Sequence, residues 1–178
     1  MTLEITTARL RLVPFRDEDA TDIAALGDDP EVARMMTSIP IPFTPADAAR
    51  RIAGSRPDGR PGFLLAIRLT DGTLVGETGI WGETSPELMY WLGRDYWGRG
   101  YATEAAIAMI DETFTRFGPD TMTGGTYDDN PASSHILSKL GFERTERFFD
   151  DASQGRAEAA GGWVWRLTRA RWDARESA

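Results

Sequence analysis

The chain has 178 residues, and its 20 Lys+Arg against 28 Asp+Glu give a net charge of −8. An acidic chain lacks the basic face that nucleic acid requires, so we expect no nucleic-acid partner. The absence of cysteine excludes a disulfide scaffold, Cys-based zinc sites and a thiolate nucleophile, and the single histidine, His135, disfavours a metal cluster or a Ser-His-Asp triad.

Length and hydrophobicity predict one globular domain covering residues 1–178, since 41% of the residues are hydrophobic. No apolar run is long enough to span a bilayer, and no targeting segment stands out. We therefore expect a cytoplasmic protein with no membrane partner.

The first half of the chain predicts mainly strands. Alternating Arg and Leu in residues 8–15 have the period of a strand with one buried face. Residues 17–27 have helical spacing, and Thr44-Pro45 can cap and open a second helix. A loop at 55–62 then precedes three strands connected by turns at Asp71-Gly72 and at residues 84–86. We predict these strands at 63–69, 74–81 and 88–93.

The second half changes to helical periodicity. An amphipathic helix is predicted from Gly98 to Phe117, followed by a strand at 122–127 and a helix that Asn130-Pro131 opens and Gly141 ends. Two strands follow at 142–149 and 163–167, separated by a polar loop at 150–162. The pattern predicts an α+β fold with an antiparallel meander and then a strand-helix-strand-helix-strand half.

The turn before the long helix is the candidate site. Gly98 and Gly100 allow the backbone to approach a ligand closely, and the helix N-terminus after them favours an anion such as a pyrophosphate. An ordinary tight strand-to-helix turn explains the same two glycines equally well. The residues alone leave both interpretations open.

Two other phosphate-binding motifs fit less well. A P-loop has Lys-Ser/Thr after its second glycine, where this chain has Tyr101-Ala102. A dinucleotide fingerprint has a third glycine, where Thr103 stands, and it normally opens a parallel sheet. Binding of NAD is therefore the weaker interpretation, although Asp120 lies at a suitable distance for a ribose partner.

Two blocks of sequence resemble a known family. Residues 90–105, with Tyr96-Trp97-Gly98-Arg99-Gly100-Tyr101-Ala102 at their centre, resemble the acetyl-CoA signature of GCN5-related N-acetyltransferases (GNAT). Residues 130–142, Asn-Pro-Ala-Ser through Leu-Gly-Phe, resemble a second block of the Rim-type branch, named for acetylation of ribosomal-protein N-termini. Residues 7–12 and 29–32 are similar to the beginning of that branch, so the resemblance covers nearly the whole chain.

This resemblance implies a fold and a cosubstrate. The fold is a mixed, mostly antiparallel sheet whose central strands splay apart and which helices flank, and the cosubstrate is acetyl-CoA, without a metal. The pantetheine arm would lie between the splayed strands, and the turn 98–102 would hold the pyrophosphate, with Arg99 adding charge outside. The implied cofactor-binding residues are Trp91, Leu92, Gly93, Trp97, Gly98, Arg99, Gly100, Tyr101, Ala102, Asn130 and Ser133.

Some of these residues also have structural interpretations. Trp97 and Tyr101 can line the cofactor or simply pack. Asn130 can bind the cofactor arm or cap its helix. The chain departs from the family pattern at Asp95, where Gln or Arg is usual, and at Gly124-Gly125, where larger residues are usual.

Acetyl transfer to an amine requires removal of a proton from the amine and stabilisation of the leaving thiolate. We expect direct attack within a ternary complex, with Glu87 as the catalytic base because strand periodicity puts it on one face with Trp91. Glu77 is the second candidate. The resemblance implies that Ser133, by its place in the Asn-x-x-Ser block, positions the thioester or protonates the sulfur. In many relatives a tyrosine acts as the general acid, and here Leu137 stands in that position.

The expected acceptor is a small-molecule amine or a protein N-terminus. Residues 17–31 contain seven carboxylates and no Lys or Arg, and these could attract a cationic amine or simply cap helices. A non-catalytic acyl-CoA-binding module is the alternative function. A monomer and a homodimer are both compatible with the sequence, and the strand at 163–165 could pair between subunits.

Overall fold

Eight strands run through the chain in the computed structural model. The structure describes residues 3–55, 61–82, 85–150, 155–156 and 158–175. The strands span Ile5–Thr6 (β1), Leu10–Val13 (β2), Phe63–Leu69 (β3), Leu74–Trp81 (β4), Glu87–Leu92 (β5), Thr121–Tyr127 (β6), Glu143–Asp150 (β7) and Ala160–Thr168 (β8). They form one sheet in the order β1-β2-β3-β4-β5-β6-β8-β7, in which β5 and β6 are parallel and the other neighbours are antiparallel.

Helices cover both faces of this sheet. They span Ala20–Gly27 (α1), Pro30–Ala33 (α2), Pro45–Ala53 (α3), Tyr101–Phe117 (α4), Pro131–Lys139 (α5) and Arg169–Arg175 (α6). The predicted caps are present, because the Thr44 side chain accepts from the Asp47 N–H and the Asn130 side chain accepts from the Ser133 N–H. The predicted α+β class with a mixed, mostly antiparallel sheet is confirmed.

The differences from the sequence prediction lie in short elements and at one edge. β1, α2 and α6 were not predicted, since each is seven residues or shorter and carries little periodicity. The expected edge strand at 163–165 lies inside the sheet, paired with β6 and β7, and the edge is β7. Of the predicted loops, residues 56–60, 83–84, 151–154 and 157 lie outside the described residues, and residues 160–162 belong to β8.

The two faces of the sheet bury two separate cores. One core packs α4, with Leu137 of α5 and Trp172 of α6, against β2, β3 and β8. The other packs α1, α2 and α3 against Ala66, Leu74 and Trp91. Because β3 and β4 are covered on both faces, their side chains are buried in continuous runs and do not alternate. None of the helices in the described ranges has the length and apolarity needed to cross a membrane.

The sheet opens at its centre, between β5 and β6. These strands share one paired position, Glu87 with Thr123, supported by the hydrogen bond from the Thr123 N–H to the Pro86 carbonyl at 2.8 Å. β5 then continues to Leu92 and β6 to Tyr127, and in the part of the chain that the structure describes they make no further pairing. The splayed central strands that the family resemblance implied are therefore present.

A buried ion pair holds α3 against the sheet beside this opening. The Arg51 guanidinium donates to both carboxylate oxygens of Glu77 at 2.7–3.0 Å, and the Trp91 indole N–H donates to the same carboxylate at 3.1 Å. The Glu77 side chain is 1% exposed and that of Arg51 is 13% exposed. Since a buried carboxylate is stable only with its partners, these contacts hold α3, β4 and β5 together.

Replacing Arg51 with alanine should destabilise the fold strongly. The substitution leaves the Glu77 carboxylate buried without its cation, which costs about 3–5 kcal/mol of unfolding free energy. The matched control is Arg16→Ala, because Arg16 pairs with Glu18 on the exposed surface, where a pair contributes about 1 kcal/mol or less. Urea denaturation at neutral pH measures both, and equal losses would contradict the structural role of the buried pair.

Candidate functional site

The edge of β5 that faces the opening carries unpaired backbone groups. In an antiparallel ladder, alternate residues direct their N–H and C=O groups to opposite sides of the strand. The Gly93 N–H donates to the Val75 carbonyl of the strand on one side, so Tyr90 and Leu92 direct their backbone groups to the other side, into the opening. A ligand with amide groups can therefore pair with this edge as an additional strand would.

This geometry corrects part of the predicted backbone contact. Both backbone groups of Gly93 are already used, since its carbonyl also accepts from the Tyr96 N–H. The backbone N–H and C=O groups of Trp91 point to the same side as those of Gly93, toward β4. Of the three residues expected to pair through the backbone, Leu92 faces the opening, and its carbonyl accepts the Trp97 indole N–H at 2.8 Å. Tyr90, which was not predicted, faces it too.

The predicted anion-binding turn lies at the wide end of the opening. Gly98 and Gly100 have φ values of +71° and +79°, which explains glycine at both positions. Gly100 is the N-cap of α4, and the first helical turn after it, from Tyr101 through Ala102 to Thr103, leaves backbone N–H groups without partners inside the helix. Arg99 is exposed beside them, with its guanidinium 5.8 Å from the Tyr96 ring.

A clamp from the N-terminal strands fixes this turn. The Arg9 guanidinium donates to the Arg99 carbonyl at 2.9 Å and to the Glu104 carboxylate at 2.6 Å, and it stacks 4.8 Å from the Tyr101 ring. The Thr7 hydroxyl donates to the other Glu104 oxygen at 2.6 Å. No local pattern indicates this contact, because 95 positions separate Arg9 from Glu104.

The pKa of Glu104 reflects the clamp. Partial burial opposes ionisation of this carboxyl, but the hydrogen bonds from Thr7 and Arg9 and the Arg9 charge together outweigh burial and lower the pKa below its usual value. The carboxylate is therefore ionised at neutral pH and holds the turn in place.

The first turn of α5 borders the other side of the opening. The Asn130 side-chain oxygen accepts the Ser133 N–H at 3.1 Å, so the capping role is occupied and only the Asn130 amide N–H groups are available to a ligand. The Ser133 hydroxyl donates to the Tyr90 hydroxyl at 2.9 Å. A side chain of β5 thus contacts one of α5 across the opening.

Glu87 lies where the opening begins, on the face of β5 opposite to Tyr90. Glu87 is exposed to solvent, but the surrounding protein partly desolvates its carboxylate, and this desolvation raises the pKa of the group. An added Cβ at Gly125 would stand 3.6 Å from a Glu87 carboxylate oxygen. The unusual glycine of β6 therefore leaves space next to the predicted base.

Glu77 has a structural role. Its carboxylate accepts from Arg51 and Trp91 in the buried cluster described above, so it is not free to take a proton from a substrate. The Trp91 side chain is 5% exposed and packs in the core under α1–α3. Its indole therefore does not line the opening.

The acidic segment 17–31 mostly stabilises its own helices. Asp19 is buried and pairs with Arg68, and Asp28 accepts the Phe43 N–H. Asp29 caps α2 and Glu31 pairs with Arg34. At least five of the seven carboxylates thus have structural partners, since Glu18 also pairs with Arg16. These contacts favour the structural interpretation of this segment.

His135 lies away from the opening. It lines a groove of about 730 Å³ on the outer side of α5, together with Ser138, Arg144 and Trp165. Tyr90 is not among the residues that line this groove. Within the described ranges no group of three or more His, Asp or Glu side chains could hold a metal ion.

Comparison with known proteins identifies related chains. Residues 9–143 match the model of the family described as acetyltransferase (GNAT) domain. The N-acetyltransferase p20 of Bacillus licheniformis is 30% identical over 78% of this chain and 81% of its own length. The FsC-acetyl coenzyme A-N(2)-transacetylase of Aspergillus fumigatus is 29% identical over 81% of this chain and 66% of its own length.

Solved structures show the same fold at lower identity. A GNAT-family acetyltransferase from Bacillus anthracis aligns with a TM-score of 0.77 at 19% identity, covering 93% of this chain and 98% of its own. RimJ of Mycobacterium smegmatis in complex with CoA-disulfide aligns with a TM-score of 0.74 at 21% identity, covering 90% of this chain and 82% of its own.

The clamp predicts a specific dependence of stability on pH. Because the folded state lowers the pKa of Glu104, its contribution is complete above the unfolded pKa of about 4.3 and is lost as pH falls through the lower folded pKa. The unfolding free energies of the wild type and Glu104→Gln should therefore differ by a constant amount from pH 6 to 8 and converge below about pH 4. A difference that grows on acidification would contradict this assignment.

Proposed function

The chain belongs to the GNAT family of N-acetyltransferases, and on this premise we propose that it moves the acetyl group of acetyl-CoA to a primary amine by direct attack in a ternary complex. One observation carries the proposal: the unpaired edge of β5 leads from Glu87 to the anion-binding turn at 98–102. A cofactor with an amide-bearing arm and a pyrophosphate matches this arrangement, because the arm can pair with the strand edge and the pyrophosphate with the turn. We take the 178 residues as one domain, since both cores pack on one sheet.

Acetyl-CoA binding would use mainly backbone groups. The pantetheine amides would pair with Tyr90 and Leu92, and the pyrophosphate would accept from the N–H groups of the turn 98–102. Arg99 would add positive charge on the exposed side. These donors do not require a basic protein, which explains how a chain of net charge −8 can hold phosphates.

The catalytic base would be Glu87. It is the carboxylate at the narrow end of the opening, and its raised pKa makes it a better proton acceptor than an ordinary glutamate. The amine nitrogen would attack the thioester carbon while Glu87 removes its proton. Because the chain has no cysteine, a thiolate acyl-enzyme cannot form.

The acceptor is proposed to be a small-molecule amine or a protein N-terminus. The space beside Glu87 and Gly125 lies on the side of the sheet that α1–α3 cover, and Gly155 packs directly on Ala33 of α2 there. α2 and Gly155 would thus form walls of the acceptor site. The name of the Aspergillus relative specifies transfer to a nitrogen, which supports an amine acceptor for this chain too.

The Glu87→Gln variant should have a kcat lower by about 10²- to 10⁴-fold, because general-base catalysis is lost. Its affinity for acetyl-CoA should stay unchanged. In the wild type, kcat/KM should fall on the acidic side around the raised pKa of Glu87, above pH 4.5. CoA release against a panel of amines and peptides measures both. The control is Glu146→Gln on the exposed strand β7, and equal activity of the two variants would refute the role of Glu87.

The Gly100→Glu variant should not bind acetyl-CoA, because a carboxylate at this left-handed N-cap position would block the turn and repel the pyrophosphate. The matched control is Gly118→Glu, since Gly118 has a similar φ of +65° at the other end of α4. The readout is the increase in melting temperature with saturating acetyl-CoA. A retained increase in Gly100→Glu would show that this turn is not the phosphate site. Turnover by the wild type would exclude a module that only binds acyl-CoA.

A further inference from the structure

Tyr90 is the polar side chain of β5 on the face that α5 covers. It lies three residues after the last paired position of β5, inside the opening, and it packs against the larger core. The Ser133 hydroxyl donates to its hydroxyl at 2.9 Å, and the Asn130 cap holds Ser133 in the first turn of α5. The phenol is therefore held from both sides of the opening.

The Tyr90 hydroxyl keeps its own hydrogen for another acceptor. Ser133 supplies the donor in their contact, and the Tyr90 O–H donates no hydrogen bond to any residue that the structure describes. Burial raises the pKa of Tyr90 to about 12, and the Ser133 hydrogen bond opposes burial only in part. The phenol is thus neutral at physiological pH, and giving its proton to a thiolate of ordinary pKa near 8.5 is unfavourable. It can act as a hydrogen-bond donor, and it is a poor acid.

Glu87 and Tyr90 lie on opposite faces of β5, because three positions separate them along a strand of period two. The thioester of the proposed reaction would lie at the open edge of β5, with Glu87 on one side of the sheet and Tyr90 on the other. As the amine attacks, its proton goes to Glu87 on one face, and the carbonyl electron pair moves onto the acetyl oxygen. When the carbonyl re-forms, the C–S bond breaks and the electron pair leaves with sulfur. Solvent then carries the proton held by Glu87 to the thiolate, which gives CoA and regenerates the base.

We propose that Tyr90 is a catalytic residue whose hydroxyl donates a hydrogen bond to the acetyl oxygen as that oxygen becomes negative. This inference rests on the proposed function. Ser133 is its positioning residue. A fixed neutral donor stabilises such an oxyanion without reorganisation, and loss of one donor of this kind costs about 10²- to 10³-fold in kcat. This role differs from the one expected of Ser133 from the sequence, which was to position the thioester or to protonate the sulfur.

The test compares the wild type with Tyr90→Phe, which keeps the ring and removes the hydroxyl. The infrared carbonyl stretch of bound acetyl-CoA, labelled with ¹³C in the acetyl carbonyl, should lie at lower frequency in the wild type and rise in the variant. With an acceptor amine, kcat of Tyr90→Phe should fall about 10²- to 10³-fold with unchanged acetyl-CoA affinity. An identical carbonyl stretch in both proteins would overturn the role of Tyr90 and would leave the proposed function standing. Failure of the wild type to bind acetyl-CoA would instead refute the proposed function and this assignment together.

Ser133→Ala tests the positioning role. In the wild-type background it should lower kcat about tenfold, and in the Tyr90→Phe background it should have no further effect, since Ser133 acts through the phenol. The control is Ser134→Ala, which removes the neighbouring hydroxyl that contacts Thr126. Additive losses in the double variant would show that Ser133 contacts the cofactor independently and would overturn its positioning role.

Discussion

The arrangement of the site depends on a break in backbone pairing at the centre of the sheet. β5 and β6 meet at Glu87 and Thr123 and then diverge, which leaves the inner edge of β5 without a neighbouring strand. Buried N–H and C=O groups need partners, so an internal edge of this kind is stable only if water or a ligand supplies them. The Trp97 indole satisfies one of these groups, the Leu92 carbonyl, and an acetyl-CoA arm matches the others.

Packing on both faces keeps the opening in place. On one face, the ion pair of Arg51 and Glu77 joins α3 to β4 and β5. At the wide end, Arg9 connects the Arg99 carbonyl to Glu104 and so holds the turn at 98–102 to the N-terminal strands. Because these contacts are far apart in sequence, the shape of the cleft depends on the whole chain. The strand period then separates Glu87 from Tyr90, so that the proposed base and the proposed hydrogen-bond donor lie on opposite faces of β5.

Much of the fold was predictable because its signals are local. Glycine spacing, the Thr44 and Asn130 caps and the change from period two to helical period gave most elements nearly correct boundaries. The family assignment was predictable too, since residues 90–105 and 130–142 each carry a compact motif. The errors concern partners: the strand at 163–165 was expected at the edge, and β7 covers it. Nothing local specifies which strand lies outermost.

The sequence by itself determined the class of fold, the family, the position of the glycine turn before α4 and the absence of a cysteine nucleophile, because each depends on residue type and short spacing. Only the tertiary structure decided what individual side chains do. It showed that Glu77 is bound by Arg51, that Gly93 has used its backbone groups, and that Tyr90 meets Ser133 from 43 positions away. The physical reason is that a hydrogen bond depends on distance and direction in space, and strand periodicity fixes only the face on which a residue lies.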